Sequence, residues 1–276
     1  MKFIINSHLL LRKLQALNGV INSSNTLPIL DDFLFELEGT TLKVTATDLE
    51  TTMVMSMETT MADEPGKITI QAKLLLDFLK YLPDAPLTFN IDQNTLAVEV
   101  LSSEGKYKMV GHNADDYPQL PALTETTTVE IPSAVISAGI SKTVFATGND
   151  ELRPVMGGVF FEFTPDYLTF VATDAHKLVR YRRLDTKLDL SASFIVPRKP
   201  LNVLKNLLSN EEFPVTVEYN ITNASFSFQG VTLYSRLIEG KYPAYEAVIP
   251  KDNKNLLTVD RLAFINSVKR LSPFAN

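Results

Sequence analysis

The chain has 276 residues, 45% of them apolar, a net charge of −6 and no cysteine. Such a length and composition fit about two globular domains with real cores and exclude a disordered chain. The missing thiols exclude disulfides, thiolate metal sites and a cysteine nucleophile, and the net negative charge argues against nucleic acid as a partner unless the charges are unevenly placed.

Met1-Lys2-Phe3-Ile4-Ile5-Asn6 turns polar too soon for a signal peptide, and no apolar run approaches the ~20 residues of a membrane span. The expectation is a soluble cytoplasmic protein. Residues 7–18 predict an amphipathic helix capped by Ser7, with Leu10, Leu14, Leu17 and Ile21 on one face and Arg12 opposite. Strands follow, where Leu42, Val44 and Ala46, then Met53, Met55 and Met57, alternate with polar residues. Ile68 and Ile70 mark a short strand, and a helix over 72–82 stops before Pro83. A hairpin turns at Asp92-Gln93-Asn94 between Leu87-Phe89-Ile91 and Leu96-Val98-Val100, and Tyr107 and Met109 add a strand. Residues 120–128 read as a linker.

The order then repeats. A helix over 133–146 precedes strands near Val159-Phe160-Phe161 and Leu168-Thr169-Phe170-Val171 and a pair flanking Arg180-Tyr181-Arg182. Phe194-Ile195-Val196 leads into a helix over 198–209, with Pro200 tolerated in its first turn, and strands at Val215-Thr216-Val217 and 225–228 follow. Thr258-Val259-Asp260-Arg261-Leu262 opens a third helix of this kind, running to Leu271.

The repeat is explicit in single residues. Thr47-Asp48 returns 126 positions later as Thr173-Asp174, Pro28 as Pro154, and Lys73 and Leu75 as Lys199 and Leu201. Ser7-His8-Leu9-Leu10 returns as Ser133-Ala134-Val135-Ile136, and Tyr117-Pro118 as Tyr242-Pro243. Matches spread over the whole interval predict tandem α+β domains of two helices and antiparallel strands each, over 1–122 and 129–247. Residues 254–276 would be only the first helix of a third domain, which needs roughly 100 residues more.

Charge segregates by element. The spans 7–18, 72–82, 132–146, 198–209 and 258–271 carry +2, +1, +1, +3 and +2, so the helices hold +9 and the rest of the chain −15. One positive helix is an ordinary solvated face. Five on an acidic chain suit a surface that takes phosphate backbone without reading bases, while the acidic remainder repels it.

Other chemistry is thin. His8, His112 and His176 lack metal-ligand spacing, no Gly-rich phosphate loop or Gly-x-Ser-x-Gly elbow occurs, and Gly157-Gly158 reads as a strand irregularity. Asp115-Asp116 reads as a solvated turn. Asp174 near His176 would need a nucleophile to make a hydrolase, and Thr47-Asp48 repeats the motif without a histidine. Thr-Asp is therefore expected to build a turn. No cofactor, metal or catalytic site is expected. The readings left open are a DNA-encircling scaffold, a repeat protein holding small apolar ligands between domains, and a hydrolase using His176 and Asp174.

Met1-Lys2-Phe3, 26–30 (Thr-Leu-Pro-Ile-Leu), 45–50 (Thr-Ala-Thr-Asp-Leu-Glu), 171–178 (Val-Ala-Thr-Asp-Ala-His-Lys-Leu), 195–199 (Ile-Val-Pro-Arg-Lys) and 240–243 (Gly-Lys-Tyr-Pro) together resemble the bacterial DNA polymerase III sliding clamp, the beta subunit. The resemblance covers the whole chain. It implies three similar domains per chain, pairing of two chains into a ring, helices lining the hole and sheets outside. It implies encircled double-stranded DNA, and as partners the replicative polymerase catalytic subunit, the clamp loader and repair factors carrying clamp-binding peptides. Their groove would involve Arg153, Met156, Thr173, His176, Lys177, Leu178, Pro243 and Val248, with apolar Met156, Leu178, Pro243 and Val248 holding the peptide's anchors. Lys73, Lys80, Arg198, Lys199 and Lys205, with Arg12, would face DNA. Two departures stand out: loop Ser23-Ser24-Asn25 carries no basic residue, and the third domain has only its first helix, so the chain is expected not to close a ring and its groove to lack one wall.

Overall fold

A computed structural model of the protein describes residues 1–120, 122–208 and 212–275. The expected helix end at Ser209, Pro121 in the expected linker and Asn276 lie outside them. Two compact units result, 1–242 and 243–276.

In the first repeat the strands are β1 (Lys2–Asn6), β2 (Asp32–Glu38), β3 (Thr41–Thr47), β4 (Thr51–Glu58), β5 (Met61–Ala62), β6 (Gly66–Gln71), β7 (Pro86–Ile91), β8 (Ala97–Leu101) and β9 (Lys106–Val110). Its helices are α1 (Ser7–Leu17) and α2 (Ala72–Leu79). The second repeat supplies β10 (Thr127–Pro132), β11 (Gly158–Phe163), β12 (Leu168–Thr173), β13 (Leu178–Arg183), β14 (Ala192–Pro197), β15 (Pro214–Tyr219), β16 (Asn223–Phe228) and β17 (Val231–Arg236), with helices α3 (Ser133–Thr143) and α4 (Arg198–Leu207).

Several expectations change. The cap of α1 is Asn6, whose side chain accepts from Leu9 N at 2.9 Å. Ser7 is fully buried instead, its hydroxyl donating to Pro83 O at 2.6 Å and accepting from Ala85 N at 3.1 Å. Ser133 repeats the tie, its backbone N donating to Phe213 O at 2.8 Å and its hydroxyl accepting from Phe213 N at 3.1 Å. Both serines do begin their helices, as expected, and their hydroxyls also fasten each helix to the start of a distant strand. Helix α2 ends at Leu79, three residues early, with Lys80 as C-cap, and α3 tightens into a 3-10 turn at Val144–Ala146. Arg180-Tyr181-Arg182 lie inside one strand, not between two. Strands β1, β2, β10 and β17 had no sequence expectation, although Phe33, Phe35 and Leu37 alternate inward along β2.

The sheets cross the repeat boundary. One sheet has the order β5-β1-β7-β8-β9 and another β13-β12-β11-β14. Between them an eight-stranded sheet, β10-β15-β16-β17-β4-β3-β2-β6, takes four strands from each repeat. The joint is the antiparallel pair β17–β4, in register from Val231↔Met55 to Ser235↔Thr51. Helices pack against these sheets. Helix α1 touches β1, β3 and β4, α2 touches β2 and β6, α3 touches β12 and β13, and α4 touches β14 and β17. Because α1 also meets α2 and α4, and α4 meets α3, the helices form one row, α2-α1-α4-α3. Fully buried Leu10, Leu14 and Leu17 on α1 face Phe3 stacked on Phe89, and a Phe161, Phe163 and Phe170 cluster fills the second repeat. Gly158 has a steric reason: a Cβ there would meet Val196 O at 2.5 Å, so glycine permits the close approach of β14.

The second unit holds a 3-10 turn, Tyr245–Val248, and α5 (Arg261–Leu271). Helix α5 starts three residues later than expected, with Asp260 as its cap accepting from Ala263 N at 2.8 Å. Leu262, Phe264, Ile265 and Val268 along it are all exposed.

Candidate functional site

Strands β12 and β13 are joined by the turn that carries Thr173, His176, Lys177 and Leu178 of the expected groove residues, closed by the pair Thr173↔Leu178. The Thr173 hydroxyl donates to Lys177 O at 2.8 Å and accepts from Ala175 N at 3.1 Å. Asp174 Oδ1 accepts from the backbone N of His176 at 2.9 Å and of Lys177 at 2.8 Å. Its other oxygen takes the Lys177 ammonium. That ammonium first, and then the turn amides, hold the Asp174 carboxyl well below the usual carboxylate range. Ala175 sits at φ +73°, in the left-handed region.

The same turn exists in the first repeat. Thr47 Oγ1 donates to Thr51 O and accepts from Leu49 N, and Asp48 Oδ1 accepts from Glu50 N at 3.1 Å and Thr51 N at 2.6 Å. Leu49 sits at φ +77°. Thr-Asp is thus a turn-building pair in both copies, through Asx- and ST-type side-chain bonds. Asp174 touches His176 only through the backbone amide, and neither carboxylate oxygen orients the imidazole, so the geometry required of an Asp-His hydrolase pair is not present.

Surroundings separate the two turns. Beyond the first, β4 is covered by β17, and Glu50 pairs with Arg236 at 3.6 Å. Beyond the second, β13 has no strand on its far side among the described residues. His176 and Lys177 are exposed and Leu178 is half-buried. Gly148 brings the Met156 segment to this turn. Its N donates to Met156 O at 2.8 Å, and a Cβ on it would lie 3.5 Å from Asp174 Cα and 3.6 Å from Met156 Cβ. Nothing in sequence periodicity pointed to Gly148, since Asn22 stands at its counterpart. Arg153 begins the 3-10 turn Pro154–Met156, and its Nε donates to Asp150 Oδ2 at 2.7 Å. Arg153, Met156, Thr173, His176, Lys177 and Leu178 thus belong to the first unit. Pro243, half-buried, and Val248, 68% exposed, belong to the second.

The residues expected to face DNA differ among themselves. Arg12, Lys73, Arg198 and Lys205 are exposed on the helix row. Beside Arg12, half-buried Lys13 has its pKa lowered by burial and then by the Arg12 charge. Lys80 is exposed but pairs with Asp77 at 2.8 Å. Lys199 is half-buried, and its ammonium bonds Val20 O, Asn22 Oδ1 and the Asp48 carboxylate. The shifted helix ends move charge without changing the total: Lys73 and Asp77 cancel within α2, while α5, freed of Asp260, carries +3.

Residues 1–121 match the N-terminal domain of the DNA polymerase III beta subunit, and residues 130–244 match its central domain. The chain belongs to this beta-subunit family. It is 28% identical over 283 residues to the beta sliding clamp of Bacillus subtilis (strain 168), covering 100% of this chain and 75% of that protein. It is 30% identical over 278 residues to that of Pseudomonas putida, with coverage of 100% and 75%. The crystal structure of the Bacillus subtilis sliding clamp superposes with a TM-score of 0.92 at 28% identity, covering 100% of this chain and 74% of that one. A Pseudomonas aeruginosa sliding clamp bound to griselimycin superposes with 0.93 at 28%, covering 99% and 74%. The beta-subunit chain described here therefore spans about three-quarters of the length of these relatives. No helix among its described residues is long and apolar enough to cross a membrane.

Proposed function

We propose that this chain serves as a processivity clamp whose helix row faces duplex DNA and whose second Thr-Asp turn forms part of a partner-peptide groove. One observation carries the groove: the strand after the turn is paired with β17 in the first repeat, whereas in the second none of the described strands pairs with the far side of β13. Half-buried Leu178 and Met156 supply apolar footing there, with Arg153, Thr173, His176 and Lys177 as the polar rim. Pro243 and Val248 complete the set by family resemblance. The partners on this reading are the replicative polymerase catalytic subunit, the clamp loader and repair factors. Arg12, Lys73, Lys80, Arg198 and Lys205 are read as the phosphate-facing cations. The protein acts without catalysis of its own, as a cytoplasmic, nucleoid-associated subunit, and the family's closed ring, a pair of full-length copies, would need the rest of the third domain.

Domains are read as 1–122 and 129–247, followed by the opening helix of a third. The small-ligand alternative would draw on cavities such as one of about 410 Å³ beside Phe160, Ile195 and Tyr242 and one of about 600 Å³ beside Leu34, Tyr117 and Pro118, both outside the groove residues. Leu178→Asp tests the groove. Placing a carboxylate where an apolar anchor docks forfeits at least the ~1.5–3 kcal/mol of a buried aliphatic contact, or about 10- to 100-fold in affinity. Fluorescence anisotropy with a peptide from the polymerase catalytic subunit reads it. Unchanged affinity would place the groove elsewhere.

A further inference from the structure

We infer that Lys199 is a positioning residue that locks the helix layer of the second repeat onto the first, and not a phosphate contact; the inference rests on the DNA-facing reading of the helix row. An ammonium has three donors and no acceptor. Those of Lys199 meet three oxygens: Val20 O just past the end of α1, Asn22 Oδ1 at 2.6 Å, and the Asp48 carboxylate. No N–H remains for a phosphate.

The acceptor side is equally committed. The Asp48 side chain is only 6% exposed, and its Oδ1 is taken by the Glu50 and Thr51 amides, leaving Oδ2 for the lysine. Lys199 thus neutralises a buried carboxylate of the first repeat from the first turn of α4. Around it, Val203 Cγ2 comes within 3.6 Å of a Cβ position on Gly19, so α4 rests on the end of α1. The two repeats are therefore joined on both layers, by the β17–β4 ladder in the sheets and by Lys199 in the helices. Because the ladder and the Arg236–Glu50 pair persist without the lysine, a variant keeps its fold while its helix layer loosens.

The counterpart Lys73 has no hydrogen bond or ion pair among the described residues, so the sequence match of the two lysines hides different uses. In the second repeat Asp174 gives its free oxygen to Lys177, whereas Thr51 stands at the corresponding position of the first repeat. The first repeat has no local lysine for Asp48. Lys199 fills that place from 151 residues away.

The test measures duplex-oligonucleotide binding against salt and thermal midpoint for Lys199→Met, Arg198→Ala and Lys205→Ala. A residue on a phosphate contributes about 0.9 to the slope of log K against log salt. Arg198→Ala and Lys205→Ala are expected to lower the slope by about that much each with the midpoint kept. Lys199→Met is expected to keep the slope and lose roughly 4–8 °C, from breaking a largely buried pair in a chain of this size. Adding Asp48→Asn, which keeps the turn bonds and removes the orphaned charge, restores most of that loss. A Lys199→Met slope reduced like that of Arg198→Ala, or an unchanged midpoint, overturns the lock. Flat slopes for Arg198→Ala and Lys205→Ala would instead overturn the DNA-facing reading, while the midpoint and its rescue still decide the lock.

Discussion

Gly139→Ala is the perturbation whose outcome the packing fixes most tightly. Gly139 lies in α3 over β12, and a Cβ there would approach three ring atoms of Phe170 at 2.5–2.6 Å. Carbon atoms rest at about 3.5–4.0 Å, so the overlap is roughly 1 Å. Phe170 is fully buried, with Phe161 edge-on at 4.7 Å and Tyr181 at 6.4 Å, so its ring has little room to retreat. Two terms oppose each other. Alanine gains about 1 kcal/mol of helix propensity over glycine, and overpacking costs about 1–3 kcal/mol. The clash against a caged ring takes the upper part of that range, so the net is a loss of roughly 1–2 kcal/mol. For a chain of this size that lowers the thermal midpoint by about 2–6 °C. Differential scanning calorimetry measures it, with Gly139→Ala/Phe170→Leu as the partner variant. Removing the ring should remove the clash, leaving a coupling of at least about 1 kcal/mol between the two sites. A Gly139→Ala protein as stable as the parent, or more so, would refute the reasoning, because helix propensity would then have won.

Ala175→Gly should raise the midpoint by about 1–2 °C: the left-handed backbone costs a residue with a Cβ roughly 1–2 kcal/mol, and the freer unfolded glycine returns about 0.5–1 kcal/mol of it. A lower midpoint would mean that the turn does not strain its alanine. Asp174 gives a pH signature. Its folded carboxyl titrates below its unfolded value, so its stabilisation is present above about pH 4 and fades as pH falls through the folded pKa. The stability gap between the parent and Asp174→Asn, from urea titrations at several pH values, should be flat from pH 7 to 5 and narrow below about 4. A gap that widened in acid would reverse the sign of the argument.

Local chemistry made much of this protein legible. Thr-Asp followed by a left-handed residue closes a turn with its own side chains, so both copies show the same bonds wherever the sequence repeats. Apolar spacing likewise buried Leu10, Leu14 and Leu17, the repeat with its uneven charge pointed to a surface for phosphate backbone, and the motifs at 45–50, 171–178 and 195–199 carried the resemblance to the clamp family. What the sequence left open depends on partners far along the chain. Ser7 resembles a helix cap, yet Asn6 caps and Ser7 binds Pro83 O and Ala85 N, a choice set by a strand that begins 79 residues later. Lys73 and Lys199 occupy matching positions, but only Lys199 has a buried carboxylate of another repeat within reach. The two Thr-Asp turns are the same locally and differ in surroundings because β17 covers the strand after one of them and none of the described strands covers the other. A turn is fixed by bonds within five residues; whether its neighbouring strand edge is open or closed is fixed by pairing across some 180 residues, which only the assembled sheet decides.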